Sequence, residues 1–410
     1  MPNATDAALA DAQRLSRNAV DSLPEGALAE KLRRARQEGR PLRVKLGIDP
    51  TAPDVHLGHA VVLGKLREFQ DAGHVVVLIV GDYTARVGDP SGRSSQRPML
   101  SAEEIDANAE TFKAQAMRIL DEDPARLEVR RNSEWLDMPM IELLRLVGTT
   151  TAAQLLERDD FAKRWRASEP ISMLELLYPL LQGYDSVAVR SDVELGGTDQ
   201  KFNLLLGRDI QRAYGQPEQA IVTMPILVGT DGRRKMSKSL GNHIGITDAP
   251  EEMYGKTMSI PDEAIAEYRR LLLGEDSGEG AADGDAVAPG ELSARDAKHA
   301  LARGLVARLH SEAEAQEAER HFERVVVQRA APEEIPEARF APEEGSLHLP
   351  GLIEAEFGTS RSEARRLIDQ GAVSLDEEPL GPGEHDVPAE RAEGRVLRVG
   401  KRRFRRLRAH

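Results

Sequence analysis

The sequence predicts an α/β fold built on a parallel sheet, followed by a helical region and a small α+β module. Three observations carry this. Residues 42–48 alternate in polarity and end at a glycine-flanked turn, residues 75–80 are an unbroken apolar run ending in Gly81-Asp82, and between them Val61, Leu63, Leu66 and Phe69 share one helical face closed by Gly73. Strand, helix and strand at this spacing make a βαβ unit whose two strands lie parallel and buried.

The remaining elements follow in order. Residues from about 98 to 182 read as mostly helical, with helical apolar spacing in 138–147 and 173–181, broken by the turn Asn132-Ser133-Glu134-Trp135. This reads as a helical insertion in the sheet domain. Residues 186–195 and 220–228 return to strand-like character on either side of a helix near 202–214. Helices then continue to a low-complexity stretch, 274–290, rich in Gly, Ala, Asp and Glu and expected as a surface loop. The Pro/Glu-rich residues 330–345 read as a linker. Beyond it Ser360 starts a helix, Gly371 stops it, and short alternating strands run to the end. The expected domains are therefore 1–245 for the sheet with its insertion, 246–335 for a helical domain, and 346–410 for the small module. No internal repeat is visible.

A chain of 410 residues predicts two or three domains, and its apolar fraction is 40%. No stretch approaches the roughly 18–20 apolar residues of a membrane span, and no signal pattern opens the chain, so the cytoplasm is the expected compartment. With no cysteine, disulfides, thiolate zinc sites and cysteine nucleophiles are excluded. The net charge of -14 argues against nonspecific coating of nucleic acid, but it is unevenly spread: residues 391–408 carry nine Lys or Arg against Glu393 alone. A basic end on an acidic chain suggests a local polyanion contact.

Two short cationic motifs make sense as grips on one ATP triphosphate. His56-Leu57-Gly58-His59 falls where the first strand hands over to its helix, and a helix N-terminus presents free N–H groups and partial positive charge to phosphate. Gly58 allows close approach of a nucleotide. Lys235-Met236-Ser237-Lys238-Ser239 sits between Gly232-Arg233-Arg234 and Gly241-Asn242, which reads as a mobile cationic loop able to stabilise charge building on an attacked α-phosphate and departing pyrophosphate. Taken alone, the first motif also fits two solvent-facing histidines and the second a solvated charge run. The segment from Gly88 to Ser94 is one residue short of a P-loop and has Arg93 where Lys is required, so that reading is rejected. Asp89 there suits a substrate ammonium or a turn cap. Tyr178, Gln182 and Asp185, spaced by four and three, direct a phenol, an amide and a carboxylate from one helical face, and Gly196-Gly197-Thr198-Asp199-Gln200 brings another acceptor and amide near a ribose or carboxylate.

Together these residues resemble a class I aminoacyl-tRNA synthetase, and within that class the bacterial tyrosyl-tRNA synthetases. The resemblance covers nearly the whole chain and rests on Gly47-Ile48-Asp49-Pro50-Thr51-Ala52 leading into His56–His59, on Gly88 to Gly92, on Tyr178 to Asp185, on Gly196 to Gln200 and on Lys235 to Ser239. The tail, with Ser362-Glu363-Ala364-Arg365-Arg366-Leu367-Ile368 and Gly371, looks like an S4-type RNA-binding module. The resemblance implies a Rossmann-like catalytic domain with a helical insertion, an α-helical domain facing the anticodon stem, and the S4-like domain.

It also implies a two-step reaction with no covalent enzyme intermediate: tyrosine attacks ATP, accompanied by Mg²⁺, to give tyrosyl-adenylate, and tRNA(Tyr) then takes the tyrosyl group. By resemblance Thr51, His56, His59, Lys235 and Lys238 are catalytic, with Gly47, Asp49, Gly58, Asp199, Met236, Ser237 and Ser239 completing the ATP site. Asp89, Tyr178, Gln182, Asp185 and Gln200 bind tyrosine, Arg93 and Arg97 join phosphate or tRNA, and Arg361, Arg365 and Arg366 bind RNA. Asp185 is expected to accept the phenolic hydroxyl. A site built to bond a substrate hydroxyl rejects the analogue lacking it by about 10⁴–10⁵, a range for which tyrosine-specific synthetases are the standard case. The family further implies a homodimer with the helical insertion at its interface. The related tryptophan–tRNA ligase and a non-catalytic RNA-binding paralogue are the alternatives. One departure stands out: where the better-known branch has a tyrosine and a cysteine touching the substrate, this chain has Lys45 and Leu46. An outward-pointing Lys45 is one reading of its place on the strand, and both residues stay outside the site.

Overall fold

The structure is a computed structural model that describes residues 4–51, 54–89, 101–275, 293–327, 335–342, 345–376, 378–400 and 403–409. Ala52, Arg93, Arg97, most of the low-complexity stretch and the basic pair Lys401 and Arg402 lie outside the described residues. The chain divides into two compact units, Met1–Ala249 with Lys256–Leu309, and Pro250–Gly255 with His310–His410.

The first unit holds a six-stranded sheet: β1 (Asp21–Leu23), β2 (Arg43–Ile48), β3 (Val75–Val80), β4 (Leu127–Arg131), β5 (Val193–Gly197) and β6 (Ala220–Met224), in the order β1-β6-β5-β2-β3-β4. All pairs are parallel except β1 with β6. The expected βαβ unit is β2, the helix Leu57–Asp71 and β3, and Val76, Val77, Leu78 and Ile79 are wholly buried, as a strand covered on both faces requires. Chain direction across the sheet reverses between β2 and β5: β2 leads through its helix to β3 on one side, while β5 leads through the helix Lys201–Ala213 to β6 on the other. A crevice outside the carboxyl ends of those two strands is where open α/β sheets bind ligands.

Several boundaries differ from the expectation. The stretch read as mostly helical also contributes β4, whose polar Glu128, Arg130 and Arg131 mask it because an edge strand needs no continuous apolar run. Residues 186–189, read as strand-like, finish the helix Met173–Val189. Three-residue β1 was not foreseen; Asp21 holds it through Thr223 Oγ1 at 2.7 Å and Lys201 Nζ at 2.7 Å.

In the second unit β7 (Glu337–Phe340), β8 (Ser346–His348), β9 (Val373–Leu375), β10 (Glu378–Pro379), β11 (Asp386–Pro388), β12 (Val396–Val399) and β13 (Arg403–Ala409) form a five-stranded sheet ordered β10-β9-β12-β13-β7 and a β8–β11 pair. The helices Leu349–Phe357 and Arg361–Asp369 pack Leu352, Ile353, Ala364 and Ile368 into a core with Val373, Leu397 and Leu407. Ser360 caps the second helix by accepting from the Glu363 N–H at 3.3 Å, and Gly371 turns the chain at φ 69°. Strand β7 falls inside the stretch read as linker and pairs parallel with β13, so the module begins before residue 346.

Candidate functional site

Segments that follow β2, β3, β5 and β6 supply most of the predicted site residues of the first unit, while Gly47 lies on β2 itself and Tyr178, Gln182 and Asp185 lie on the helix Met173–Val189. His56 caps the Leu57–Asp71 helix: its Nδ1 accepts from the Gly58 N–H at 3.2 Å, while His59 Nδ1 accepts from the His56 N–H at 3.2 Å. A backbone N–H only donates, so both rings are neutral with hydrogen on Nε2, free to act as donors. Burial, aided by neighbouring positive charge, depresses the His56 pKa to about 2 and that of His59 to about 4. The expectation of a cationic histidine motif is thereby corrected: at neutral pH the positive charge of the pair of motifs comes from the lysines.

The second motif lies against the first. A Cβ on Gly58 would stand 3.7 Å from the Met236 Cβ, an ordinary contact, but only 2.9 Å from Cε1 of the His56 ring, so it is the folding of that ring over the helix start that favours glycine here. The chain beyond Ser239 returns alongside, with the Leu57 N–H donating to the Ile244 carbonyl at 2.9 Å and the Ile246 N–H to that of Val55 at 3.0 Å. Met236 is buried, and Asn242 Oδ1 accepts from the Ser237 N–H at 2.9 Å, anchoring the base of the loop. Lys235 and Lys238 stay about half exposed; Lys235 Nζ meets Asp199 Oδ2 at 2.6 Å, and Lys238 pairs with Asp54. Thr51 follows β2, its N–H donating to the Asp49 carbonyl at 2.8 Å.

A second cluster gathers beside the same strand ends. Gln200 Nε2 donates to Asp89 Oδ2 at 2.9 Å, and Asn203 Nδ2 donates to Gln200 Oε1 at 3.1 Å and Gln182 Oε1 at 2.8 Å, which joins Asp89, Gln182 and Gln200 in one network. Tyr178 OH donates to Asp49 Oδ2 at 2.9 Å, and Thr84 Oγ1 donates to Asp49 Oδ1 at 2.6 Å. Asp49, read by resemblance with the ATP site, thus contacts Tyr178. Burial chiefly raises Asp49 to about 7, with Asp89 and Asp185 adding repulsion against its two hydrogen bonds. Asp185 Oδ1 accepts from Trp135 Nε1 at 2.8 Å; burial raises this carboxyl to about 6, opposed first by the charge of Lys45.

Sequence reasoning missed several members. Asn132 and Trp135 were read only as a turn, yet Asn132 donates to Thr84 Oγ1 at 3.0 Å and Trp135 to Asp185. Their signal was position, just after a strand that the sequence hid. Lys45 does not point outward: its side chain is fully buried against Glu194 Oε1 at 2.7 Å. The inner strand β2 is covered on both faces, so no outward side exists.

In the second unit Arg361, Arg365 and Arg366 are exposed on one short helix, with Arg361 paired to Glu354 at 2.7 Å and Arg366 to Glu363 at 2.6 Å. In β13 Arg405 pairs with Glu356 at 2.7 Å. Arg408 lies 3.3 Å from Glu337 and 3.5 Å from Glu393, while Arg403 and Arg406 on the same strand meet a hydroxyl and a backbone carbonyl instead.

Residues 37–327 match the family model described as tRNA synthetases class I (W and Y). The tyrosine–tRNA ligase of Moorella thermoacetica is 52% identical over 395 residues, 96% of this chain and 94% of the relative. That of Thermotoga maritima is 50% identical over 394 residues, 96% of both chains. In fold, the chain is similar to the tyrosyl-tRNA synthetase of Archaeoglobus fulgidus, solved with L-tyrosine, at a TM-score of 0.60 and 24% identity over 76% of this chain and 99% of that one.

Proposed function

We infer the chemistry from one premise: the chain belongs to the class I tRNA synthetases of the tryptophan and tyrosine group. It is a tyrosine–tRNA ligase, as its relatives at about half identity over nearly their whole length are named. Neither a tryptophan ligase nor a non-catalytic RNA-binding protein is favoured. The observation that carries the mechanism is the adjacency of two sites: a neutral histidine pair at a helix start packed on the lysine motif, beside a buried cluster with two carboxyls and a phenol.

In the first step a tyrosine carboxylate oxygen bonds to the ATP α-phosphorus while the bond to the β-phosphate oxygen breaks, and pyrophosphate leaves with Mg²⁺, which enters on the nucleotide. His56 and His59 donate Nε2–H to the phosphates. Thr51 adds its hydroxyl, and Lys235 and Lys238 exchange Asp199 and Asp54 for the charge developing on the leaving pyrophosphate. Once Asp199 turns to the ribose, Lys235 is released toward phosphate. Gly47, Gly58, Met236, Ser237 and Ser239 shape the nucleotide site. Asp89, Tyr178 and Gln182 hold the tyrosine ammonium, Gln200 the carboxyl region, and Asp185 accepts the phenolic O–H; Asp49, bonded to Tyr178, steadies the ammonium side. Orientation and electrostatics suffice, because the adenylate forms without an enzyme nucleophile. In the second step a hydroxyl of the tRNA terminal ribose attacks the tyrosyl carbonyl and AMP leaves.

The module that begins at β7 acts as the S4-like RNA-binding domain, with Arg361, Arg365 and Arg366 on backbone phosphates, the helical region before it faces the anticodon stem, and Arg93 and Arg97 serve phosphate or tRNA. Two copies associate through the insertion. Met140, Ile141 and Leu144 on one short helix are 68%, 69% and 58% exposed, and Met173 at the start of another is 74% exposed. So many large apolar side chains in water mark a protein interface. Among the described residues no helix is long and apolar enough to cross a membrane, and the protein works in the cytoplasm, where ATP and tRNA meet. Exchange of labelled pyrophosphate into ATP tests the reading: it should depend on tyrosine, and dependence on tryptophan instead would overturn it.

A further inference from the structure

A lysine stands fully buried within β2, in a position that the proposed chemistry leaves unused. Lys45 projects from β2, and its ammonium makes three contacts, one for each N–H: Glu194 Oε1 at 2.7 Å, Ser186 Oγ at 2.8 Å and the Gln182 carbonyl at 3.1 Å. Two of these acceptors belong to the helix Met173–Val189, and they bracket the turn that carries Gln182 and Asp185. The third belongs to β5. One ammonium thus ties two adjacent strands to a single helical turn.

The counter-ion is itself held. Glu194 Oε2 accepts from Ser186 Oγ at 3.1 Å and from Gln219 Nε2, and a Cβ on Gly207 would stand 3.4 Å from that oxygen and 3.0 Å from Gln219 Nε2. Glycine at that position lets the neighbouring helix lie close against the network, where a side chain would crowd Gln219. A lone buried charge would be far more costly than this fully bonded pair, but an apolar pair of similar volume is commonly as stable. Stability alone therefore does not explain the ions.

We propose that Lys45, held by Glu194, is a specificity-determining positioning residue that fixes the helical turn bearing Gln182 and Asp185 at the phenol end of the tyrosine site. This rests on the tyrosine reading above. Gly47, two residues along β2, faces Asp185, since a Cβ there would stand 4.0 Å from Asp185 Oδ2, so the strand that carries Lys45 also runs past the carboxyl of that helical turn. The Lys45 charge also counts first among the influences that oppose the burial-driven rise of the Asp185 carboxyl. Facing groups with charge or titrating protons are Lys45, Glu194, Asp49 and Tyr178, with Trp135 and Asn132 donating. Among them Lys45 alone is a cation.

The test compares Lys45→Met, which strands Glu194, with Lys45→Met/Glu194→Gln, which leaves a neutral, hydrogen-bonding network, and with Ser186→Ala, which removes one acceptor and keeps the ion pair. Each full-length variant is assayed by tyrosine- and phenylalanine-dependent pyrophosphate exchange, with thermal melting alongside. The single lysine variant melts lower, and the double variant recovers most of that loss. If Lys45 positions the turn, the double variant still raises the tyrosine KM by about tenfold or more with kcat little changed, the scale of one lost placement contact to a substrate. Its preference for tyrosine over phenylalanine falls in proportion, and the acidic limb of its pH profile moves up. Ser186→Ala raises the tyrosine KM in smaller measure and, because it keeps the Lys45 charge, leaves the pH limb in place. Parent-like tyrosine KM in both Ser186→Ala and a folded double variant would overturn the proposal, as would a double variant whose KM follows melting temperature alone. Failure of the unaltered chain to exchange with tyrosine would instead overturn the functional reading.

Discussion

Asp185→Asn removes one charge and almost no volume. Asparagine's oxygen still accepts from Trp135 Nε1, now at 2.8 Å from the carboxylate, and Lys45 keeps Glu194, so the fold stays intact. What goes is a carboxylate acceptor for the substrate phenol. With a pKa near 6, Asp185 is almost wholly ionised at pH 8. A hydrogen bond to a charged partner contributes about 1.5–3 kcal/mol, and about 1.4 kcal/mol is tenfold, so kcat/KM for tyrosine should fall about 10- to 150-fold at that pH. Phenylalanine has no hydroxyl to lose, and its kcat/KM should hold or rise. Pyrophosphate exchange with each amino acid, on the same preparation, reads both numbers. An unchanged ratio of tyrosine to phenylalanine, or an equal fall in both, would refute the assignment of Asp185 to the phenol.

Other outcomes follow from the same geometry. Lys238→Ala should lower the single-turnover rate of tyrosyl-adenylate formation by about 10²–10³ while leaving the tyrosine KM unchanged, because Lys238 lies on the motif that meets Asp54 and away from the Tyr178–Asp185 cluster. The pH profile of kcat/KM for tyrosine should show an acidic limb between about 6 and 7, set by Asp185 and Asp49, whose raised values keep them protonated below that range. Protonated, they offer a donor where an acceptor is needed, so activity rises with pH; a limb near 4 would contradict the burial argument. Gly183→Ala should lower the melting temperature, since the new Cβ would lie 2.5 Å from Ile210 Cδ1 and 3.3 Å from the Gly207 Cα; overpacking of this kind costs about 1–3 kcal/mol, or about 1–2 °C for each in a unit of this size. Calorimetry checks it, and unchanged melting would mean that the two helices separate freely.

Much of the fold was legible because its signals are local. The run at 75–80 and the helical face of Val61, Leu63, Leu66 and Phe69 are burial written in sequence order, and the structure has β3 and the Leu57–Asp71 helix there. Strands β1 and β4 were not legible. One is three residues long, and the other lies at an edge with polar side chains, so neither repeats a pattern long enough to read. In the second unit β7 was hidden for a like reason, since a four-residue strand paired with the chain's last one has no local mark of that partnership.

By itself the sequence determined the chemistry-bearing residue types and their order: a histidine motif at a helix start, a lysine motif far downstream, and a phenol, an amide and a carboxylate on one helical face. Only the tertiary structure decided their charge and their company. It made His56 and His59 neutral donors, because each Nδ1 is committed to a backbone N–H in a half-buried helix cap. It brought Asn132 and Trp135 to Asp185 across 53 and 50 positions of chain, which happens only once β4 has joined the sheet and the helix Met173–Val189 has packed on it. It turned Lys45 inward, where an ammonium is stable only with a partner from another strand, and that partner, Glu194, stands 149 positions away. Periodicity reports which side of an element is dry, whereas pairing between distant elements depends on which strands lie side by side, and that is settled only when the sheet assembles.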